Sequence, residues 1–568
     1  MKIITLHCDY IRYRALKKAL KDVELVESKE IEVKEPLVVL TAVEKGDTEE
    51  ILSQMTQAVL KTAKEVKAEN IVVYPYAHLS SNLASPQIAQ EFLKKSESLL
   101  KSSFKKVERA PFGYYKSFEL KCKGHPLSEL SKEFKASSGK IIEENFDPQQ
   151  LLKEISRFKL DTSKLKENDH RILGQRLDLF SFNEVSPGMV FWHDSGSYIY
   201  NKLREFILNL LYKYDYQIVS TPQILDTKIF KVSGHWNHYI NNMFMTSYDD
   251  RSFGVKPMNC PGEMLIYKTK SRSYKDLPIR FGEFGLVHRQ ELSGVLAGLF
   301  RLNQFTQDDA HIFCTKEHIA KEIESILEMI DIMYKQLFGF NYKFELSTRP
   351  ERFMGDKKDW DIAEKILEDV LKKKKVKFKI NKGDGAFYGP KIDLHITDSL
   401  GREWQCATIQ LDMQMPKRFD LKYIDKDGKE NTPYVIHRAI LGSIERFIGV
   451  LIEHLSANFP LWISPKQVRV INFTDRNTKA CEKFIERLKK EIPEIRVETD
   501  FESDTVQSKI RNAELMKVNY IIVIGDKEEE NNTLAVRKRG EKPKFGISAD
   551  SLIQELKKEL EGPKGLLR

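Results

Sequence analysis

Two extended runs, residues 279–291 and 299–314, flank a short glycine-containing stretch at 292–298, and both are rich in aromatic and β-branched side chains. Such a pair closes as an antiparallel hairpin with a tip free to move, which argues for antiparallel pairing in the middle of the chain. The flanks follow a different pattern. Residues 3–7, 37–43 and 71–76 read as strands, with a Tyr/Arg/Leu/Lys helix expected directly after the first. Between the second and third, residues 48–67 place Ile51, Leu52, Met55, Val59, Ala63 and Val66 three or four apart, the spacing of a helix with one buried face. Asp47 with Glu50 offers that helix a capping start. Strand and helix in alternation point to a small α/β domain.

Residues 151–167 lose the apolar strands and read as a charged helical connector, and Pro-Leu-Trp-Ile-Ser-Pro at 460–465 punctuates the chain again. Beyond it, strands at 468–473, 496–499 and 520–525 alternate with amphipathic helices, a second α/β unit. At about 100–200 residues per domain, a 568-residue chain accommodates several domains. The expected divisions fall at 1–145, 146–168, 169–464 and 465–568, with no internal repeat and no low-complexity tract.

A net charge of +9 permits a polyanionic partner without proving one. The six cysteines, Cys8, Cys122, Cys260, Cys314, Cys406 and Cys481, include no C-x-x-C pair, which favours a reducing compartment over a disulfide scaffold. No run approaches the ~18 apolar residues of a membrane span. The opening residues alternate polar and apolar rather than forming a secretory core, so a cytoplasmic protein is expected.

Cys260, His311 and His437 are metal-ligand types far apart in sequence, and their spacing alone gives no zinc signature. Read singly, they are a buried small hydrophobe and two core histidines. Arg289, Arg301 and Arg446 carry the planar fork suited to phosphate oxygens, although each alone also reads as a surface ion pair. Lys372–Lys375 with Lys377 and Lys379 form the densest basic run, read either as a nucleic-acid contact or as a solvated strand edge.

Five motifs bring these residues together: Val-His-Arg-Gln-Glu-Leu-Ser-Gly (287–294), Phe-Thr-Gln-Asp-Asp-Ala-His-Ile-Phe (305–313), Phe-Tyr-Gly-Pro-Lys-Ile-Asp (387–393), Trp-Gln-Cys-Ala-Thr-Ile-Gln-Leu-Asp (404–412) and Ile-His-Arg-Ala-Ile-Leu-Gly-Ser-Ile-Glu-Arg-Phe (436–447). With them, residue 169 onward closely resembles class II threonyl-tRNA synthetase, and the first 145 or so residues resemble the editing domain of its archaeal form. The resemblance implies a class II antiparallel sheet core with helices. It is flanked by an N-terminal domain like D-aminoacyl-tRNA deacylase and a C-terminal α/β anticodon-binding domain.

The implied activity is ATP-dependent activation of L-threonine and its transfer to tRNA(Thr), with hydrolysis of mischarged seryl-tRNA(Thr). One Zn2+ per subunit is implied at Cys260, His311 and His437. Its open position would take the threonine hydroxyl, which valine lacks. Met258, Gln307, Asp309, Tyr388 and Lys391 match the threonine pocket. Arg289, Glu291, Arg301, Phe305, Gln405, Gln410 and Arg446 match the ATP site, where Mg2+ accompanies the nucleotide. Arg289, His235, Arg446 and Lys391 form the implied catalytic set, His235 serving transfer to tRNA; read without the family it is an exposed loop histidine.

Serine lacks one methyl, a difference worth about 1–3 kcal/mol, so a second, hydrolytic site is expected. His78, Tyr115, Lys116 and Glu129 match it. Glu528 and Arg537 match anticodon contacts, and Pro222 a dimer-forming motif that implies a homodimer. Glu263, Leu292 and Asn303 depart from frequent histidine, proline and arginine. A prolyl-type synthetase and a non-catalytic tRNA-binding regulator are the competing readings.

Overall fold

The computed structural model describes the chain except residues 21, 22, 25, 81, 135–147, 150, 151, 153–164, 250, 292, 398–400 and 568. The charged stretch at 151–167 and Leu292 therefore lie largely or wholly outside the described residues. Two compact units result, Met1–Asn145 and Phe146–Arg568.

In the first unit the opening strand β1 (Lys2–Lys18) is far longer than residues 3–7, and the helix expected after it does not form. The reason is period-two burial: Ile11, Tyr13 and Ala15 are buried while Arg14 and Leu16 are exposed. That face packs against Val38, Leu40, Val72 and Tyr74, while β2 (Ile31–Lys34) and β6 (Tyr114–Cys122) pair with the two edges of the second half of β1. The first half pairs with β3 (Pro36–Ala42) and β7 (Glu129–Glu133). Parallel strands β4 (Asn70–Pro75) and β5 (Lys106–Arg109) extend the sheet from β3 through α1 (Glu49–Val66) and α2 (Pro86–Lys101). The apolar stripe of α1 is buried as its spacing requires. Its N-cap, however, is Thr48, whose hydroxyl accepts from Ile51 N–H; Asp47 instead takes the Met1 ammonium at 2.6 Å. Thr48 is the residue with the extended backbone that an N-cap needs.

The second unit opens with α3 (His170–Arg176) and α4 (Asp194–Lys213). Its centre is an eight-stranded sheet. The strands are β8 (Gln217–Ile218), β9 (Ile279–His288), β10 (Gln304–Cys314), β11 (Tyr342–Ser347), β12 (Phe378–Asn381), β13 (Lys391–Thr397), β14 (Glu403–Asp412) and β15 (Tyr434–Ala439). Their spatial order is β8-β9-β10-β15-β14-β13-β11-β12, antiparallel from β9 through β11. Helix α5 (Ile444–His454) packs Ile444, Phe447, Ile448 and Leu451 into the core that also holds Ala310 and Ile312 of β10. The β9–β10 hairpin forms as expected, but β10 begins only at Gln304, and Leu299 and Phe300, read as the start of its extended run, are buried in a turn before it.

The C-terminal sheet runs β17-β16-β18-β19-β20, from strands β16 (Val468–Asn472), β17 (Val497–Asp500), β18 (Tyr520–Ile524), β19 (Leu534–Lys538) and β20 (Lys544–Ile547). The first three are parallel and the last two antiparallel. Among the described residues no helix is long and apolar enough to cross a membrane.

Candidate active site

One cross-strand row organises the centre of the sheet: Phe281 faces His311, His311 faces His437, His437 faces Gln410 and Gln410 faces Lys391. Along β10, alternate residues Phe305, Gln307, Asp309 and His311 line a cavity of about 600 Å3, while Thr306, Asp308 and Ala310 are buried. Period-two geometry thus delivers residues distant in sequence to one surface. The same cavity is lined by Met258, Cys260, Arg289, Glu291, Arg301, Tyr388, Lys391, Gln405, Gln410, His437 and Arg446.

At one end the donor atoms of Cys260, His311 and His437 lie within 4.8 Å of one another, all buried. The two imidazoles meet edge-on, with ring centres 4.5 Å apart. Each is oriented by a carboxylate: Asp412 bonds His437 Nε2 at 2.9 Å, and Glu263 lies 2.9 Å from His311 Nδ1. The Glu263 carboxyl and His311 Nδ1 approach without the alignment of a hydrogen bond. Burial pushes the Cys260 thiol up to about 11 and the Glu263 carboxyl up to about 7. Burial opposes a charge on His311 too, yet Glu263 and Asp309 raise it, whereas burial and then His311 hold His437 low. A buried thiol and two imidazoles backed by carboxylates form a donor set that fits zinc. Asn259 Nδ2 bonds Asp309 at 3.0 Å, and Tyr388 OH donates to Gln410 at 2.6 Å.

His235 does not line the cavity. It is buried, its Nδ1 2.8 Å from Ser233 Oγ and its Nε2 3.8 Å from Cys260 Sγ, so the exposed-loop reading is wrong. At the other end the Arg289 guanidinium lies 5.2 Å from the Phe305 ring centre and 5.7 Å from that of Tyr239, with Nε on the Pro257 carbonyl. Arg446 donates to the carbonyls of Phe300 and Gln405, and burial lowers its pKa. Arg301 is more exposed and pairs with Glu291 at 2.9 Å. Asn303 accepts Glu291 N–H at 2.9 Å and so ties the two hairpin arms together. Lys391 is held by Asp393 and Asp384, and Gln405 also reaches Asp393.

In the N-terminal unit Lys116 donates to the Pro111 carbonyl at 2.9 Å and stands 5.0 Å from the Tyr74 ring centre. Burial lowers it to about 8. Rings of Tyr74, Tyr76 and His78 continue from it. Tyr115, the next residue along β6, is 64% exposed on the opposite face, and Glu129 lies on β7 near Cys122.

Glu528 and Arg537 line a C-terminal hollow of about 880 Å3. Glu528 accepts Gly525 N–H at 3.1 Å, and Arg537 pairs with Glu514 at 2.6 Å. Phe473, read only as the end of a strand, and Phe545, absent from the sequence reading, are exposed in the same hollow. Lys372, Lys373 and Lys374 are ion-paired to Glu368 and Glu324, and Lys379 lies on the edge strand β12. Glu263 was read only as a departure from the family pattern, and Asn259 and Asp412 were given no role, because a supporting carboxylate or amide carries no spacing of its own.

The family model described as tRNA synthetase class II core domain (G, H, P, S and T) matches residues 244–455. That of the Archaea-specific editing domain of threonyl-tRNA synthetase matches 1–134, and an anticodon binding domain matches 467–559. Sheet and cavity thus define a class II aminoacyl-tRNA synthetase, an ATP-dependent ligase. A threonine–tRNA ligase of Clostridium kluyveri is 47% identical over 434 residues, which are 76% of this chain and 67% of that protein. The crystal structure of the RNA binding domain of threonyl-tRNA synthetase from Cryptosporidium parvum is 40% identical, with TM-score 0.66, over 69% of this chain and 98% of that one. The chain belongs to the threonyl-tRNA synthetase family and carries an archaeal-type editing domain. A prolyl-tRNA synthetase from Cryptosporidium parvum, at 17% identity and TM-score 0.54, shares the fold alone.

Proposed function

We propose that the chain activates L-threonine with ATP, transfers it to tRNA(Thr), and hydrolyses seryl-tRNA(Thr) in its N-terminal unit. The observation that carries this reading is the cavity with two ends: a Cys260/His311/His437 donor set at one and Arg289, Phe305 and Arg446 at the other. Bound by those donors, zinc would supply an open position for the amino and hydroxyl groups of threonine, which discriminates against valine far better than a hydrophobic pocket can. Asp309 accepts from the substrate hydroxyl, and Met258, Gln307, Tyr388 and Lys391 enclose the amino acid.

A carboxylate oxygen of threonine bonds to the α-phosphorus of ATP, the bond to the bridging oxygen breaks, and pyrophosphate leaves. Negative charge gathers on the phosphoryl oxygens, where Arg289 stabilises it, with Arg446 and Arg301 on the γ-phosphate end. Phe305 stacks on adenine, Glu291 accepts from its amino group, and Gln405 and Gln410 line the adenylate. Mg2+ travels with the nucleotide. Arg301 leaves Glu291 when both engage ATP. In the second step the terminal ribose hydroxyl attacks the threonyl carbonyl, its proton passes to a phosphate oxygen of the departing AMP, and His235, buried beside Cys260, acts as a positioning residue.

Lys116 and His78, with Glu129, form the editing set, and Tyr115, on the opposite face of β6 from Lys116, stands outside it. Glu528 and Arg537, with Phe473 and Phe545 beside them, read the anticodon by base-edge contacts and stacking. The chain pairs as a homodimer through the segment around Pro222. Pyrophosphate exchange driven by threonine, serine, valine or proline, on zinc-replete and on chelated protein, tests the proposal. Exchange with threonine, weaker with serine and lost on chelation, is expected; proline-driven exchange, or threonine activity indifferent to chelation, overturns it.

A further inference from the structure

Behind the hairpin tip, Asp169, His170 and Glu453 bring donor atoms within 4.8 Å of one another in the interior. Their partners speak against a metal. His170 Nε2 accepts the N–H of Leu299 at 3.0 Å, which places the ring proton on Nδ1, donated to Glu453 Oε1 at 2.8 Å. The same oxygen takes the His170 backbone N–H at 3.1 Å, the second oxygen takes Arg402, and Arg171 grips Asp169 through Nε and Nη2. A cation would have to break bonds that are already made.

What the histidine holds is the tip of the hairpin. Leu299 sits between Gly298 and Phe300 in a single tight turn. Gly298 has φ +55°, and a Cβ there would stand 2.4 Å from His170 Nε2, so ring and backbone can meet only at a glycine. The imidazole lies 4.1 Å from the Phe300 ring centre, and Phe300 lies 4.2 Å from that of Trp404. The Phe300 carbonyl in turn accepts Arg446 Nε at 2.9 Å, and Arg301 is the next residue.

We propose that His170, held by Glu453, is a positioning residue for ATP: through Leu299 N–H it fixes the turn that aims Arg446 and Arg301 into the cavity. The proposal rests on the ATP reading of that cavity. His170→Gln can keep an acceptor near the Nε2 position, whereas His170→Asn keeps the donor to Glu453 and leaves Leu299 N–H without a partner. An unmet buried donor costs enough to raise the ATP KM about tenfold in His170→Asn.

In threonine-dependent exchange we expect that rise with the threonine KM unchanged, and an ATP KM close to wild type in His170→Gln. Gly298→Ala, which disturbs the contact from the other side, should reproduce the ATP effect if His170→Asn does not fold. ATP and threonine KM rising together, lower melting temperatures with unchanged KM, or a second equivalent of metal lost in His170→Asn would overturn the proposal. Wild-type protein devoid of any exchange would instead sink the ATP reading itself.

Discussion

The lowered pKa of Lys116 makes a quantitative claim about editing. Its ammonium is enclosed by the Pro111 carbonyl and the Tyr74 ring, and burial brings it to about 8. At pH 7 about one molecule in ten then carries the neutral amine, against about one in 2,500 for an ordinary lysine. If that amine accepts the proton of the water attacking the mischarged ester, deacylation of seryl-tRNA(Thr) rises about 50-fold between pH 6 and 8 and levels off above. The assay is single-turnover deacylation by the full chain, corrected for the rate without protein, since hydroxide alone also cleaves the ester. Lys116→Ala should abolish the corrected rate and leave threonine activation intact; Lys116→Arg, charged throughout, should give neither the rise nor the plateau. A wild-type rate that is flat or falls across that range, or a Lys116→Arg profile that matches it, refutes the reasoning. Stability carries the same signature. Between pH 8 and about 10.5 the unfolded chain holds the proton that the folded one has released, so stability climbs with pH there, and Lys116→Met removes that slope.

Cys260→Ala should cost the protein its equivalent of zinc, read by metal analysis, together with threonine-dependent exchange; retention of both would contradict the donor set. Glu263→Gln should weaken zinc binding about 10- to 100-fold in competition with a chromophoric chelator, because the carboxylate beside His311 is lost. Thr48→Ala should lower stability by about 1 kcal/mol through loss of the α1 cap, measured by denaturant unfolding, whereas Asp47→Asn leaves the cap untouched. Phe473→Ala should weaken tRNA binding by about 1–3 kcal/mol while threonine activation stays unchanged.

Much of the fold was legible because burial imposes a period. The stripe from Ile51 to Val66 is the buried face of α1, and the two aromatic runs pair residue for residue from Ile279 with Phe313 to His288 with Gln304. The long first strand was misread after His7 because Tyr10 to Lys18 pattern as strand only when something covers both edges, and β2 and β6 come from far along the chain. Asp47 was misread as a cap because its real partner, the Met1 ammonium, is remote in sequence. At the site, the groups that would touch substrate were named from motifs. Those that hold them, Asp412 on His437, Asn259 on Asp309 and His170 on Leu299, are recognisable from contacts alone.

The hairpin strand β10 displays Phe305, Gln307, Asp309 and His311 on one face by simple alternation. Inserting a single residue between Phe305 and Asp309 would rotate everything beyond it by half a turn, turning Asp309 and His311 to the other face of the sheet while Phe305 stayed put. Nucleotide handling and amino-acid choice therefore share a common reading frame. In this segment substitutions can retune either property, but a change of length would uncouple the two at a stroke.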